Sequence, residues 1–260
     1  METLIIIALA GLIWGSFLNV VIFRLPAGLS LIKPPSTCPA CKKRIKPYDN
    51  IPVVSYLALH GRCRFCGARI PFSYFLVEVM TPAAFVILYL HFSLSVHFFA
   101  SCLFSSGLIV LGFIDYNHKI LPDKITYPGA ALGLAYSFFR KEPFFIKEPR
   151  FLQALLGAAI GAGFLLVVYG GYYVLRKKEG LGLGDVTMML MVGAYLGWPK
   201  TLVTLVLASC VGALVGVLII AVKRKNMQYQ LPYGTFLAPA AYIALVWGDR
   251  IILAYLRLFS

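Results

Sequence analysis

Charge is what this 260-residue chain has least of: 13% of its residues are Asp, Glu, Lys or Arg, and 60% are hydrophobic. That is about half the charged share of an ordinary soluble domain. It excludes a disordered chain and argues against a water-soluble enzyme. Acids are scarcest, ten against 24 Lys and Arg, for a net charge of +14. In a soluble protein such an excess points to nucleic acid. Here the bases sit in short loops between apolar runs, so membrane topology is the more economical reading and no nucleic-acid partner is expected. The start, Met1-Glu2-Thr3, lacks a basic n-region, and no obvious cleavage site precedes Asn19 and Arg24. The first apolar run therefore reads as a retained membrane helix rather than a removed signal. The four histidines (His60, His91, His97, His118) show no metal spacing, and no serine sits in a recognisable nucleophile elbow. The run Gly180–Gly184 lacks the strand and βαβ context of a dinucleotide site.

What the chain has is long hydrophobic runs. A spanning helix needs ~20 mostly apolar residues. Eight candidates occur, at about 4–23, 74–92, 97–115, 125–139, 151–175, 185–198, 201–222 and 233–256. The fold expected is an all-α polytopic membrane protein of about eight transmembrane helices with a small cytoplasmic tetracysteine zinc-binding loop domain. Residues 1–23 form the first helix, 24–73 the loop domain and 74–260 the helical bundle. Segment 24–73 carries Arg24, Lys33, Lys42, Lys43, Arg44, Lys46, Arg62, Arg64 and Arg69 against one acid, Asp49. Short Lys/Arg-rich loops stay in the cytoplasm, which puts the N-terminus outside. Alternation then places Arg176-Lys177-Lys178 and Lys223-Arg224-Lys225 inside as well. The loop Arg140–Arg150, with four basic residues, falls outside and is a misfit. Glycines four apart (Gly11/Gly15, Gly157/Gly161, Gly212/Gly216) suit close helix packing.

Cys38-Pro-Ala-Cys41 and Cys63-Arg-Phe-Cys66 are separated by 21 residues. Two such knuckles supply four thiolates, enough to close a tetrahedral zinc site with no open position. The alternative, disulfides, is disfavoured in a cytoplasmic loop where thiols stay reduced. A structural metal supplies folding free energy that so small a loop cannot gain by packing. Gly61 and Gly67 read as turn residues around the second knuckle. Cys102 and Cys210 lie alone in apolar segments and read as packing residues.

Carboxylates at membrane depth mark function more often than packing. Asp115 ends one apolar run, and Asp185 opens another after the glycine-rich stretch. From Val186 to Trp198 a helix spans ~20 Å, short of the ~30 Å hydrocarbon core. With Trp198 at the outer interface, Asp185 lies inside the inner one. The glycines before it are then irregular backbone, tolerated only beside protein or a water-filled cavity. Two aspartates sharing a proton can activate water against an amide, the pair titrating as a unit. A single acid could equally be an interfacial cap or a salt-bridged residue. Asp123, after Pro122, looks most like a cap for a helix starting near Ile125.

In combination these features resemble the bacterial type IV prepilin peptidases, bifunctional leader peptidase/N-methyltransferases of the GxGD aspartic protease type. The resemblance rests on Gly15-Ser-Phe-Leu-Asn-Val-Val-Ile-Phe-Arg-Leu-Pro26, on the cysteine loop with Asn50-Ile-Pro-Val-Val-Ser-Tyr-Leu57 and Gly61-Arg-Cys63, and on Ile114-Asp115 with Leu121-Pro-Asp123. Gly182-Leu-Gly-Asp185 and Leu231-Pro-Tyr-Gly-Thr-Phe-Leu237 complete it. It implies Asp115 and Asp185 as the catalytic pair, supported by Gly182 and Gly184, with Asp123 the fallback partner. It implies removal of a basic leader after glycine from prepilins or pseudopilins, in pilus assembly or type II secretion. Methylation of the new N-terminus with S-adenosylmethionine would follow, in the bacterial inner membrane, with segment 24–73 as the methyltransferase-associated domain and 74–260 as the bundle carrying the aspartic protease site. His60, Ser73-Tyr-Phe75 and Thr235 depart from the family pattern, Thr235 standing where proline is frequent. These departures read as touching the loop more than the aspartates. Basic residues of the loop suit anionic membrane lipids, at ~1 kcal/mol each. Glu78 is positioned to meet the leader's charge or the free amine, or equally to pair with Arg69 or another loop base. The competing reading is a transporter or channel with intramembrane aspartates as a proton or cation relay.

Overall fold

A computed structural model describes residues 1–33, 35–140, 148–177, 182–223 and 232–258. Among them every regular element is helical. The long helices are α1 (Glu2–Arg24), α3 (Phe72–Phe92), α4 (Val96–His118), α5 (Asp123–Ser137), α6 (Arg150–Arg176), α7 (Leu183–Leu196), α8 (Trp198–Lys223) and α9 (Gly234–Arg257). A short α2 (Val54–Ala58) and a 3-10 turn (Pro47–Asn50) lie in the loop. The eight apolar runs thus become eight helices, with ends within three residues of expectation. Six are long and apolar enough to cross a membrane; α7 is a shorter apolar helix, and α5 has 15 residues. Several of the expected features fall outside the described residues: 141–147 of the misfit loop, Lys178, Gly180-Leu181, Arg224-Lys225 and Leu231.

The chain divides into two compact units, Met1–Cys102 and Leu103–Ser260. In the first, α1 packs on α3 along the small-residue face. A Cβ on Gly11 would lie 2.6 Å from Pro82 Cα, and one on Gly15 3.2 Å from Glu78 Cα. Bulkier residues would separate the helices. Buried Asn19 donates from Nδ2 to the Tyr74 carbonyl at 3.0 Å. The Phe23 and Tyr74 rings meet 4.6 Å apart.

In the second unit α7 is the core. It is buried nearly all round, as a helix apolar on every face must be. Glycines admit it: the backbones of Gly157 on α6 and Gly193 on α7 touch, and Gly133 on α5 lies against Tyr195. Tyr195 is stacked between Phe104 and Tyr136, at 4.1 and 4.6 Å. The misfit basic loop has a local reason. Arg140 donates to the Tyr195 carbonyl at 3.2 Å and to Gln153 Oε1 at 3.0 Å, and Arg150 donates to the Phe138 carbonyl at 3.3 Å. These cations satisfy orphan carbonyls at the ends of α7 and α5. One expectation is corrected: Cys102 is buried, but Cys210 is exposed on α8, its thiol small and apolar enough to sit on an outward helix face.

Candidate active site

The ends of α4, α5 and α7 line a cleft of about 440 Å³ within the second unit, and the start of α9 bonds to its Asp115. Asp115 lies in the last turn of α4, Asp185 in the first turn of α7, and α9 begins at Gly234-Thr235. Asp115 is 5% exposed and Asp185 6%. Asp115 Oδ2 accepts from the Thr235 N–H at 2.8 Å and from Thr235 Oγ1 at 3.1 Å. Asp185 Oδ2 accepts the Gly182 N–H at 3.2 Å, while its Oδ1 is buried without a hydrogen bond. Asp115 and Asp185 line the same cleft, close enough for each charge to act on the other through space. The two acids therefore form one electrostatic unit fed by the amino ends of α7 and α9, whose N–H groups favour negative charge.

The glycines have steric reasons. A Cβ on Gly184 would lie 2.8 Å from Leu121 Cβ, and one on Gly234 3.0 Å from Asp115 Oδ2. Gly184 is nevertheless inside α7 rather than in irregular backbone, correcting that part of the depth argument; Gly182 is the helix N-cap. Asp123 lines the same cleft but is exposed. It is the first residue of α5, not its cap, since Pro122 holds the cap position without a side-chain hydrogen bond. Thr235 corrects the reading of the departures, because it touches an aspartate directly. A single sequence offers no signal that sets residue 235 against residue 115.

The four loop cysteines converge in the first unit. Their sulfurs lie within 4.8 Å of one another, and Cys38 Sγ is 3.9 Å from Cys66 Sγ. Thiolates ~2.3 Å from a tetrahedral zinc are ~3.8 Å apart, whereas a disulfide needs ~2.05 Å. The residues fit a metal. The two knuckles repeat one backbone pattern. Cys38 N–H donates to Lys43 O and Lys42 N–H to Cys38 O; Cys63 N–H donates to Ala68 O and Gly67 N–H to Cys63 O. Lys42 and Gly67 hold the equivalent left-handed positions, φ 58° and 67°, and a lysine there gives no glycine signal. The Cys63 thiol is brought down to about 7, first by the N–H of Cys66 and then by that of Phe65, which favours the ligating thiolate. Arg64 grips Asp49 at 2.6–3.0 Å and holds its carboxyl below the usual range.

Among the described residues, Glu78 on α3 makes no ion pair with a loop base. Its Oε2 accepts the Val53 N–H at 2.7 Å, and its other partners are Ser16 and Asn19. Val53 itself sits at φ 64°, uncommon for a β-branched residue and held only where neighbours enforce it. Glu78 borders a cavity of about 720 Å³ in the first unit.

Comparison with known proteins decides the family. The Bacterial Peptidase A24 N-terminal domain matches residues 9–92, and the Type IV leader peptidase family matches residues 102–217. The chain is 36% identical over 272 residues to a protein of Pseudomonas putida named prepilin leader peptidase/N-methyltransferase, covering 96% of this chain and 92% of that one. The chain belongs to the prepilin leader peptidase family. A relative of the same name from Aeromonas hydrophila is 34% identical over 278 residues, 98% of this chain and 94% of that one. Another, from Myxococcus xanthus, is 41% identical over 211 residues, 81% and 61%. No solved structure matches. Family membership and six helices of spanning length make this a multi-pass membrane protein. Within the family, the N-terminal match takes in α1, the cysteine loop and α3, and the second match holds both cleft aspartates.

Proposed function

We propose that this chain is a membrane aspartic endopeptidase of the bacterial inner membrane. It removes the basic leader from type IV prepilins or pseudopilins after glycine, and it methylates the new N-terminus with S-adenosylmethionine. The names of its relatives support the reaction class. The observation that carries the site assignment is the cleft that Asp115 and Asp185, distant in the chain, both line, with Asp115 bonded to the first turn of α9.

The mechanism follows from that pair. One carboxylate takes a proton from water, and the hydroxide attacks the amide carbonyl. The partner, protonated, donates to the carbonyl oxygen; proton transfer to the nitrogen then releases the amine. The pair shares one proton, so neither role belongs to one residue. Asp123 is the weaker candidate, because it lines the cleft from an exposed position whereas Asp115 and Asp185 are buried. Cys38, Cys41, Cys63 and Cys66 would hold a structural Zn²⁺, which when bound supplies folding free energy to the loop. The loop 24–73 is cytoplasmic in this reading, and the N-terminus outside.

Asp115→Asn and Asp185→Asn should each lower cleavage by about 10²–10⁴-fold at unchanged protein level. Mass spectrometry of a co-expressed prepilin reads leader loss and methyl gain together. Near wild-type cleavage by either variant would refute the pair. Solute uptake that needs both aspartates, with the prepilin left intact, would favour the transporter reading instead.

A further inference from the structure

We infer that Leu121 sets the demand for glycine before the cleaved bond, because its side chain fills the space beside the two aspartates that a substrate Cβ would need. The inference deepens the peptidase half of the proposed function and rests on it.

The segment joining α4 to α5 carries Leu121 into the aspartate cleft, where it is half-buried. Two glycines make room for it. A Cβ on Gly184 would lie 2.8 Å from Leu121 Cβ, and one on Gly234 would lie 3.0 Å from both Leu121 Cδ1 and Asp115 Oδ2. Gly184 directly precedes Asp185, and Gly234 directly precedes Thr235, the donor to Asp115. The leucine is therefore wedged between the starts of α7 and α9, against the backbone that carries one acid and grips the other.

Its surroundings leave it little freedom to withdraw. A residue before proline is confined to extended backbone, and the Pro122 carbonyl accepts the Ile125 and Thr126 N–H groups at 3.0 and 3.4 Å. These bonds tie Leu121 to the first turn of α5, whose Thr126 is fully buried. Gly129 and Gly133 hold α5 against Met191 and Tyr195 of α7. Moving Leu121 out of the cleft therefore means moving α5. Two other apolar side chains of the cleft, Ile120 and Leu183, are 47% and 57% exposed and can turn aside into open space.

The acids act on water and on the carbonyl of the residue before the cleaved bond. That carbon must come to the carboxyl groups, and its α-carbon follows at ~1.5 Å. A glycine α-carbon brings only hydrogen to the leucine. Any larger residue brings a Cβ that competes with Leu121 for the same volume. A hydrophobic wall discriminates one methyl group by about 10–200-fold. Exclusion by Leu121 differs from a second source of glycine preference, its access to positive φ. Shortening Leu121 relieves the first and leaves the second untouched.

The test uses the full-length protein in detergent and two synthetic precursor peptides that differ only in glycine or alanine before the cleaved bond. Both are supplied in one tube. Mass spectrometry of leader loss then gives the ratio of their kcat/KM values whatever the amount of active protein. The unsubstituted protein should prefer glycine by about 10–200-fold. Leu121→Ala should bring alanine to within about threefold of glycine, and Leu121→Val should give an intermediate ratio. Leu183→Ala, which loosens the cleft away from the wedge, should keep the original ratio. If Leu121→Ala cleaves neither peptide, the valine variant decides. An unchanged ratio in the variant that cleaves, or equal relaxation by Leu183→Ala, overturns the assignment and leaves the peptidase reading standing. If the unsubstituted protein cleaves neither peptide, the peptidase reading falls and the inference with it.

Discussion

At the scale of single residues, Thr235 is the sharpest case. Its N–H and Oγ1 both donate to Asp115 Oδ2, and Oγ1 also lies 3.3 Å from the Gly112 carbonyl. Proline, which the family resemblance puts at this position, could supply neither donor. Hydrogen bonds to charged groups contribute ~1.5–3 kcal/mol. Thr235→Val keeps the N–H and the shape but loses the hydroxyl. It should slow cleavage about tenfold with KM unchanged, and Thr235→Ser should restore the rate. A rate equal to wild type in the valine variant would assign the hydroxyl to local packing alone. The aspartates and cysteines were legible before any coordinates, because charge in an apolar run and paired Cys-x-x-Cys are costly or specific patterns. Thr235 was not, because its meaning comes from a tertiary contact 120 positions away. Lys42 was hidden for a related reason: its left-handed backbone is enforced by the knuckle and not by its side chain.

At the scale of elements, helix positions followed from hydrophobic length alone, but the helix pairings did not. The spacing of Gly157 and Gly161 announced a close approach without naming its partner. That partner is α7, through Gly193, which stands four residues before Gly197 and so shares the same spacing. The contact is backbone to backbone, so any side chain at Gly193 must push α6 and α7 apart. Gly193→Val should therefore destabilise the protein by ~1–3 kcal/mol or more and lose cleavage with it, since Asp185 rides on α7. Gly163, on α6 with nothing within 4 Å of an added Cβ, is the control. Gly163→Ala should be neutral or stabilise by up to ~1 kcal/mol through helix propensity. Thermal unfolding in detergent, read beside cleavage, separates the two. Equal behaviour of both variants would remove the special status of the α6–α7 contact.

At the scale of the whole molecule, the proposed orientation rests on the distribution of 24 bases against ten acids. Nine of those bases crowd into 24–73, so this segment resists translocation. The apparent counterexample, the loop beginning at Arg140, contains two arginines occupied with helix-end carbonyls. Their positions are required by packing whichever side they face. In that proposed orientation, counting spans from Arg24 through α3 and α4 brings the C-terminal end of α4, with Asp115, to the cytoplasmic side. That is where a basic leader would remain while the hydrophobic part of its precursor lies in the bilayer. Three single cysteines test this: Ile32→Cys in the loop, Leu94→Cys between α3 and α4, and His118→Cys at the end of α4, all at exposed positions. A membrane-impermeant maleimide applied to intact spheroplasts should label only the Leu94 variant above the unsubstituted background. The other two should react only after permeabilisation. Labelling of the His118 variant from outside would separate the aspartate end of α4 from the cytoplasm, and the leader could not reach the cleft from the side its charge dictates.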